Sequence, residues 1–182
     1  MSQQAENVRV RRTRKLLREA LVDLVEEHGF DRVTVGQITE RAMVSRAAFY
    51  RNYRDKYHLV EQIFDEAIAA LVGTVPDARL PQERLAGFFE HIADYDRLYR
   101  ALLGKKGSPW FAARMRASLS ELSTQHLDVP ADDLVPTVLG AMLVETITWW
   151  LDHGRPVPPR EIAVQASRLA VAAVTEASSW TR

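Results

Sequence analysis

The stretch that decides the fold is "TVGQITERAMVSRAAFYRNYRDKYHLV", residues 34–60. Thr34 stands before a short periodic run, and Gln37 follows three residues later, the spacing of a capping box. Val35, Ile38 and Ala42 turn to one side of a helix that ends near Arg41 or Ala42. Met43 and Val44 form a tight link. Ser45 then caps a second short helix carrying Arg46, Ala47, Ala48, Phe49, Tyr50 and Arg51. Asp55 caps a third that begins at Lys56 and turns Leu59, Val60, Ile63, Phe64, Ala67, Ile68 and Leu71 inward.

Two short helices joined by a tight turn can form a helix-turn-helix, in which the second enters the DNA major groove and the first braces it. Ser45 starts the second helix, where free N–H groups can meet phosphate. Arg46 and Arg51 offer donors to base edges. Ala47 and Ala48 are small enough for close approach, and Ala48 suits a thymine methyl. Phe49 faces the core, as does the Tyr53 ring. Tyr50 can pack its ring and offer its hydroxyl to a phosphate. Lys56 is placed as a phosphate point charge. On spacing alone a plain helical hairpin inside an all-α domain stays open.

Outward from this stretch nearly everything reads as helix. In "RRTRKLLREALVDLVEEHGF" (11–30) apolar residues recur with a 3.6-residue period; Thr13 is expected to cap the helix and Gly29 to end it in the left-handed conformation. "GTVPDARLP" (73–81) is a break. Helices are predicted from about 81 to 94, 97 to 103, 109 to 125, 134 to 152 and 160 to 177. Ser108 and Pro109 form one helix start, and "DVPADD" (128–133) forms another break.

The net charge of zero conceals an asymmetry. Residues 1–60 hold 12 Lys+Arg against 8 Asp+Glu, a net of +4; residues 61–182 hold 12 against 16, a net of −4. A basic front end suits a polyanion, and chance scatter of surface charge accounts for it equally well. Cysteine is absent, which excludes disulfides, thiol nucleophiles and thiolate metal sites. No histidine cluster has metal-site spacing, and no phosphate-gripping glycine loop or serine–histidine elbow is present. No cofactor, metal or enzyme activity is expected. No uncharged apolar run is long enough for a membrane span, and no signal peptide is read at the front.

The segment from about Thr13 to Val60 resembles the DNA-binding domain of the TetR family of bacterial transcriptional regulators. The resemblance rests on Gly29-Phe30, Thr34, Ile38, Ala42, Val44-Ser45, Ala47, Phe49-Tyr50, Tyr53, Lys56 and Leu59, which match the family pattern without a gap. It implies an all-α subunit of nine or ten helices, with a helix-turn-helix domain at 1–58 and an effector-binding and dimerisation domain at 59–182. It also implies a cytoplasmic homodimer on a palindromic double-stranded DNA operator, most simply a repressor. Thr34, Tyr50 and Lys56 sit where family members often touch phosphate; Ser45, Arg46, Ala47, Ala48, Arg51 and Asn52 complete the expected DNA-facing set. Met43 departs from the family's turn glycine, Thr39 from its alanine, and Asn52 from its frequent histidine. Met43 is the best support for a second reading, a helical dimeric adaptor that no longer reads DNA.

The larger half holds more apolar surface than one exposed hairpin can carry. Leu139, Leu143, Ile147 and Trp150, with Ile162, Ala166, Leu169, Ala170 and Ala173, are expected to pack within the subunit and against a second copy as a four-helix interface. Val138, Ala141, Glu145, Thr148 and Trp149 lie on another side. Phe64, Phe88, His91, Tyr95, Tyr99, Trp110, Phe111, Met115, Met142, Thr146 and Trp149 are candidates to line a pocket for a small apolar or aromatic effector. An aromatic at helical spacing is usually core rather than pocket wall, and His91 beside Glu90 and Asp94 reads as a half-exposed charge partner.

Overall fold

The computed structural model describes residues 2–72, 81–105, 107–127 and 133–180. The expected breaks at 73–80 and 128–132 lie outside the described residues. Among the described residues there are nine α-helices and no strand: α1 (Ser2–His28), α2 (Val35–Arg41), α3 (Arg46–Tyr50), α4 (Lys56–Val72), α5 (Pro81–Asp94), α6 (Asp96–Leu103), α7 (Pro109–Leu127), α8 (Leu134–Asp152) and α9 (Pro159–Ala177).

The caps are where residue chemistry places them. Ser108 Oγ accepts the Phe111 N–H at 3.2 Å to open α7, and Asp133 Oδ1 accepts the Val135 N–H at 2.8 Å to open α8. Thr13 is not a cap: α1 begins eleven residues earlier, so this threonine lies within it. Arginine and lysine are good helix formers, and nothing in "NVRVRRTRK" (7–15) breaks a helix. Gly29 ends α1 at φ 80, as expected in sign, but its ψ of 149 is extended rather than left-handed helical. That conformation seats Phe30 and Val33 in the core.

α1 to α3 form the head; α5 to α9 form the body, in which α7 lies along α8 and α5 lies along α9, and α4 leaves the head to pack against α5. The α7–α8 pair approaches closely at Gly140. A Cβ there would stand 2.7 Å from the Arg116 carbonyl oxygen and 2.9 Å from the Ser120 nitrogen, both backbone atoms. α8 is the one described helix long and apolar enough to cross a membrane, yet it packs as a bundle helix with Leu139, Val144, Ile147, Trp150 and Leu151 buried.

The expected dimer face is corrected here. Leu139, Ile147, Trp150, Ile162 and Ala166 are all buried inside one subunit. Trp150 stands edge-on to Phe89 of α5, at 5.5 Å between ring centres, and its indole N–H donates to the Val157 carbonyl at 2.9 Å. Leu143, Ala170 and Ala173 are half-buried, and Leu169 alone of that set is exposed, at 57%. α8 is apolar nearly all round, so its periodicity did not say which side meets its own body. The side left open carries Leu134, Val138, Ala141, Glu145 and Trp149, continued on α9 by Val164, Leu169 and Val171.

Candidate nucleic-acid interface

α2 and α3 owe their position to a chain of local hydrogen bonds. The Thr34 N–H donates to Gln37 Oε1 at 2.9 Å and the Gln37 N–H donates back to Thr34 Oγ1 at 3.2 Å, a complete capping box. At the other end of α2 the Val44 N–H reaches the Thr39 carbonyl at 2.9 Å and the Met43 N–H reaches that of Glu40 at 3.0 Å. This is a Schellman ending, which demands a left-handed residue in third-last-plus-four position. Met43 fills it at φ 52, with its side chain 92% exposed. Methionine thus takes the conformation that glycine adopts more cheaply, and the turn keeps its form. Ser45 Oγ then accepts the Ala48 N–H at 3.2 Å and opens α3.

Beneath this surface Phe49 and Tyr53 are fully buried and lie 5.6 Å apart between ring centres. They fix the orientation of α3, so its other side faces outward. Thr34, Ser45, Arg46, Ala47 and Arg51 are exposed, Ala48 is half-buried, and Tyr50 is 58% exposed. These side chains are brought together on one face. Arg46 lies over α2, where a Cβ on Gly36 would meet its Nη2 at 2.9 Å, so glycine leaves that guanidinium its place.

Two residues expected on that face are engaged elsewhere. The Lys56 ammonium donates to the carbonyls of Phe30 at 2.8 Å, Val33 at 2.9 Å and Asp31 at 3.1 Å. Those three bonds use every N–H of the group. It also sits 4.6 Å from the Phe30 ring centre. Burial pushes its pKa down, opposed by Asp31. Lys56 is therefore a clamp between α4 and the end of α1, not a free point charge. Asn52 is half-buried; its amide donates to the Ala48 carbonyl at 2.8 Å and its oxygen accepts from Arg14 Nε at 3.2 Å. Sequence reasoning passed over Arg14, because its partner lies 38 residues away.

The aromatic set expected to line an effector pocket divides. Phe64, Phe88, Tyr99, Phe111 and Met115 are buried core, with Phe111 within 5.8 Å of Phe64 and 6.0 Å of Tyr99 between ring centres. Trp110 belongs elsewhere: it stacks on Phe30 at 6.2 Å and meets Tyr57 edge-on at 4.8 Å, joining α7 to the head. Trp149 is 45% exposed and stacks on His153. The Thr146 hydroxyl donates to the Met142 carbonyl of its own helix at 2.7 Å, and Met142 is half-buried. His91 turns inward rather than pairing with Glu90, which instead meets Arg160 at 3.2 Å. Its ring lies 4.7 Å from that of Tyr95 and 6.1 Å from that of Tyr99. Its Nε2 and the Tyr99 hydroxyl are buried with no hydrogen-bond partner in the protein. Burial pushes the His91 pKa down and the Tyr99 pKa up.

Head and body meet through arginines that spacing did not reveal. Arg18 of α1 donates to Glu66 of α4 at 2.6 Å and to the Tyr95 hydroxyl at 2.9 Å. Arg97 of α6 reaches Glu26 at 2.7 Å and Asp23 at 2.9 Å, both on α1. A cleft of about 690 Å³ opens beside them between α1 and the α5–α6 corner; of the expected effector residues only Tyr95 lines it.

Comparison with known proteins agrees with this geometry. Residues 17–63 match the model for "Bacterial regulatory proteins, tetR family", and residues 81–171, half the chain, match that for "Transcriptional regulator C-terminal region". An uncharacterized HTH-type transcriptional regulator of Bacillus subtilis (strain 168), YxbF, is 26% identical over 166 residues, 85% of this chain; the chain spans only 43% of that relative's length. A TetR transcriptional regulator from Streptococcus agalactiae 2603V shares the fold with a TM-score of 0.61 at 20% identity, over 92% of this chain and 98% of that one. The dihydroxyacetone kinase operon activator DhaS does so with 0.60 at 17% identity, over 88% and 94%. The chain belongs to the TetR family of bacterial regulatory proteins, which are DNA-binding transcriptional regulators rather than enzymes.

Proposed function

We propose that two copies of this chain form a cytoplasmic homodimer that reads a palindromic operator and represses transcription by occupying it. The observation that carries this reading is the outward face of α3. Arg46 and Arg51 are exposed there without an acidic partner among the described residues, beside two alanines and the Tyr50 hydroxyl. In this reading Thr34, Ser45 and Tyr50 hold phosphates, while Arg46, Ala47, Ala48 and Arg51 meet base edges. The head corresponds to 1–58 and the body to 59–182, with α4 running through both.

Dimerisation uses the open side of α8 and α9. Leu134, Val138, Trp149, Val164, Leu169 and Val171 are exposed apolar side chains of these two helices, a surface that a second copy would cover. A two-fold pairing of these helices makes a four-helix interface and sets two α3 helices at one fixed spacing. A small effector is proposed between α4, α5, α6 and α7. Support for it comes from His91 Nε2 and the Tyr99 hydroxyl, buried polar atoms that call for a partner. Movement of α6 would reach the head through Arg97 and Arg18, and a coupling of a few kcal/mol is enough to change DNA affinity. Activation is the second reading, favoured by the likeness in fold to DhaS, an operon activator.

The test is selection of bound duplexes from a random pool at stated salt, followed by a reporter carrying the selected site. A two-fold symmetric sequence that lowers expression supports the proposal; one that raises expression favours activation. No enrichment by folded, dimeric protein overturns DNA reading and returns the adaptor alternative.

A further inference from the structure

The cleft of about 690 Å³ between α1 and the α5–α6 corner has two walls of different charge. Its volume lies within the range of about 300–1,000 Å³ that small-molecule sites occupy. One wall is a face of α1. Arg11, Arg14, Lys15 and Arg18 line it, three and four residues apart, so they share one side of the helix. The other wall is the corner itself, which brings Asp94, Tyr95, Asp96 and Leu98.

Most of the charges in this lining are already matched. Glu66 accepts from Arg18 at 2.6 Å, and Asp96 is held by Arg100 at 3.4 Å and Arg155 at 3.7 Å. Glu19 stands 3.8 Å from Lys15, and Arg97 turns away to Asp23 and Glu26. Three groups are left over. Arg11 and Asp94 are exposed and have neither an ion pair nor a hydrogen bond among the described residues. Arg14 spends its Nε on Asn52 at 3.2 Å, which leaves its two terminal nitrogens without a partner among the described residues. Arg18, in the same wall, keeps its Nε buried with no acceptor. Free cations on α1 therefore face a free carboxylate of the α5–α6 corner, and the two do not meet. Val22, Tyr95 and Leu98 add apolar surface to the lining.

We propose that this cleft binds a small zwitterion of the amino-acid type, its carboxylate on Arg11 and Arg14, its ammonium on Asp94 and its apolar part against Val22, Tyr95 and Leu98. A guanidinium fork suits a carboxylate, and a lone carboxylate suits the point charge of an ammonium. The site is separate from the effector site proposed around His91 and Tyr99. A ligand here ties α1 to the α5–α6 corner, alongside the links that Arg18 and Arg97 already make.

The test is calorimetry on the full chain without DNA, with three probes of one shape. They are L-phenylalanine, 3-phenylpropionate, which lacks the ammonium, and phenethylamine, which lacks the carboxylate. Phenylalanine should bind wild type, and each single-charge probe should bind about tenfold or more weakly, the worth of one charge-assisted hydrogen bond. Arg11→Gln and Asp94→Asn should each weaken phenylalanine by a similar factor. The Asp94→Asn variant should bind phenylalanine no better than 3-phenylpropionate. Arg168→Gln, at an exposed arginine of α9 outside the cleft, should match wild type. The altered side chains are exposed, and circular dichroism with sedimentation establishes that each variant is folded as wild type is. No binding of phenylalanine, equal binding of 3-phenylpropionate by wild type, or an affinity unchanged in both cleft variants overturns the proposal. Binding is read without DNA, so these outcomes leave the DNA-reading proposal standing, and failure of that proposal leaves them unchanged.

Discussion

α3 and α8 are built by opposite means. α3 has five residues and is placed by hydrogen bonds at its ends: Ser45 at its start, the Thr34–Gln37 box and the Met43 turn before it, and two buried rings beneath. α8 has nineteen residues and is placed by packing, with Gly140 against the backbone of α7 and Trp150 against Phe89. Polar local signals specify a position; apolar surface specifies only that something must cover it. The comparison explains why the exposed side of α3 could be anticipated, while on α8 the residues expected to meet a second copy proved to be buried inside one subunit.

The largest expected effect tests the α8 side of the comparison. Trp150→Ala empties a fully buried site and leaves the Val157 carbonyl without its donor. It should cost about 3–5 kcal/mol of stability. Urea unfolding at two protein concentrations checks this: a core role gives the same loss at both, whereas an interface role gives a loss that depends on concentration.

A pair of substitutions in the head sharpens the contrast between clamp and contact. Lys56→Met should destabilise the free protein by about 1–3 kcal/mol, because three carbonyls lose their donor. Arg46→Ala should leave stability unchanged and cost about 1–3 kcal/mol of binding at particular base pairs. Denaturation without DNA and binding to single-base variants of the selected site separate the two. A uniform loss for Arg46→Ala would assign it to phosphate.

Met43→Gly relieves a left-handed methionine with little packing to lose. A gain of up to about 1 kcal/mol is expected, seen as a higher urea midpoint with unchanged DNA selectivity. A loss would show that the methionine side chain stabilises the turn.

The smallest effect is the pH dependence carried by His91. Burial favours its neutral form, with Glu66, a hydrogen bond to the Ile63 backbone and Asp94 opposing and Arg18 assisting. Its folded pKa lies below its unfolded one, so the unfolded chain binds the extra proton as pH falls below about 6.5. Stability from this group is present above that pH and is lost as pH falls towards the folded pKa. His91→Gln should flatten the stability profile between about pH 7 and 5, by less than about 1.4 kcal/mol per unit. An unchanged slope would place the ring in water.

The sequence revealed what was local. Thr34, Ser45, Asp55 and Ser108 start helices through side chains three residues from their partners. It hid what depends on distant partners. Lys56 looked like a free charge because the three carbonyls it holds lie 23 to 26 residues away. Trp110 looked like a pocket wall because Phe30 and Tyr57, which cover it, are far off in the chain. His91 had two acids nearby on its own helix, and the decisive neighbours, Tyr95 and Tyr99, turned it inward.

The central claim is that two α3 helices, held at fixed spacing by α8 and α9, read two half-sites together. The most direct measurement is affinity for the selected duplex with 0 to 10 base pairs inserted between its half-sites. Affinity should be highest at the selected spacing and fall at least tenfold when about 5 base pairs turn one half-site to the opposite side of the duplex. Equal affinity at every spacing, from protein shown to be dimeric, would contradict the account.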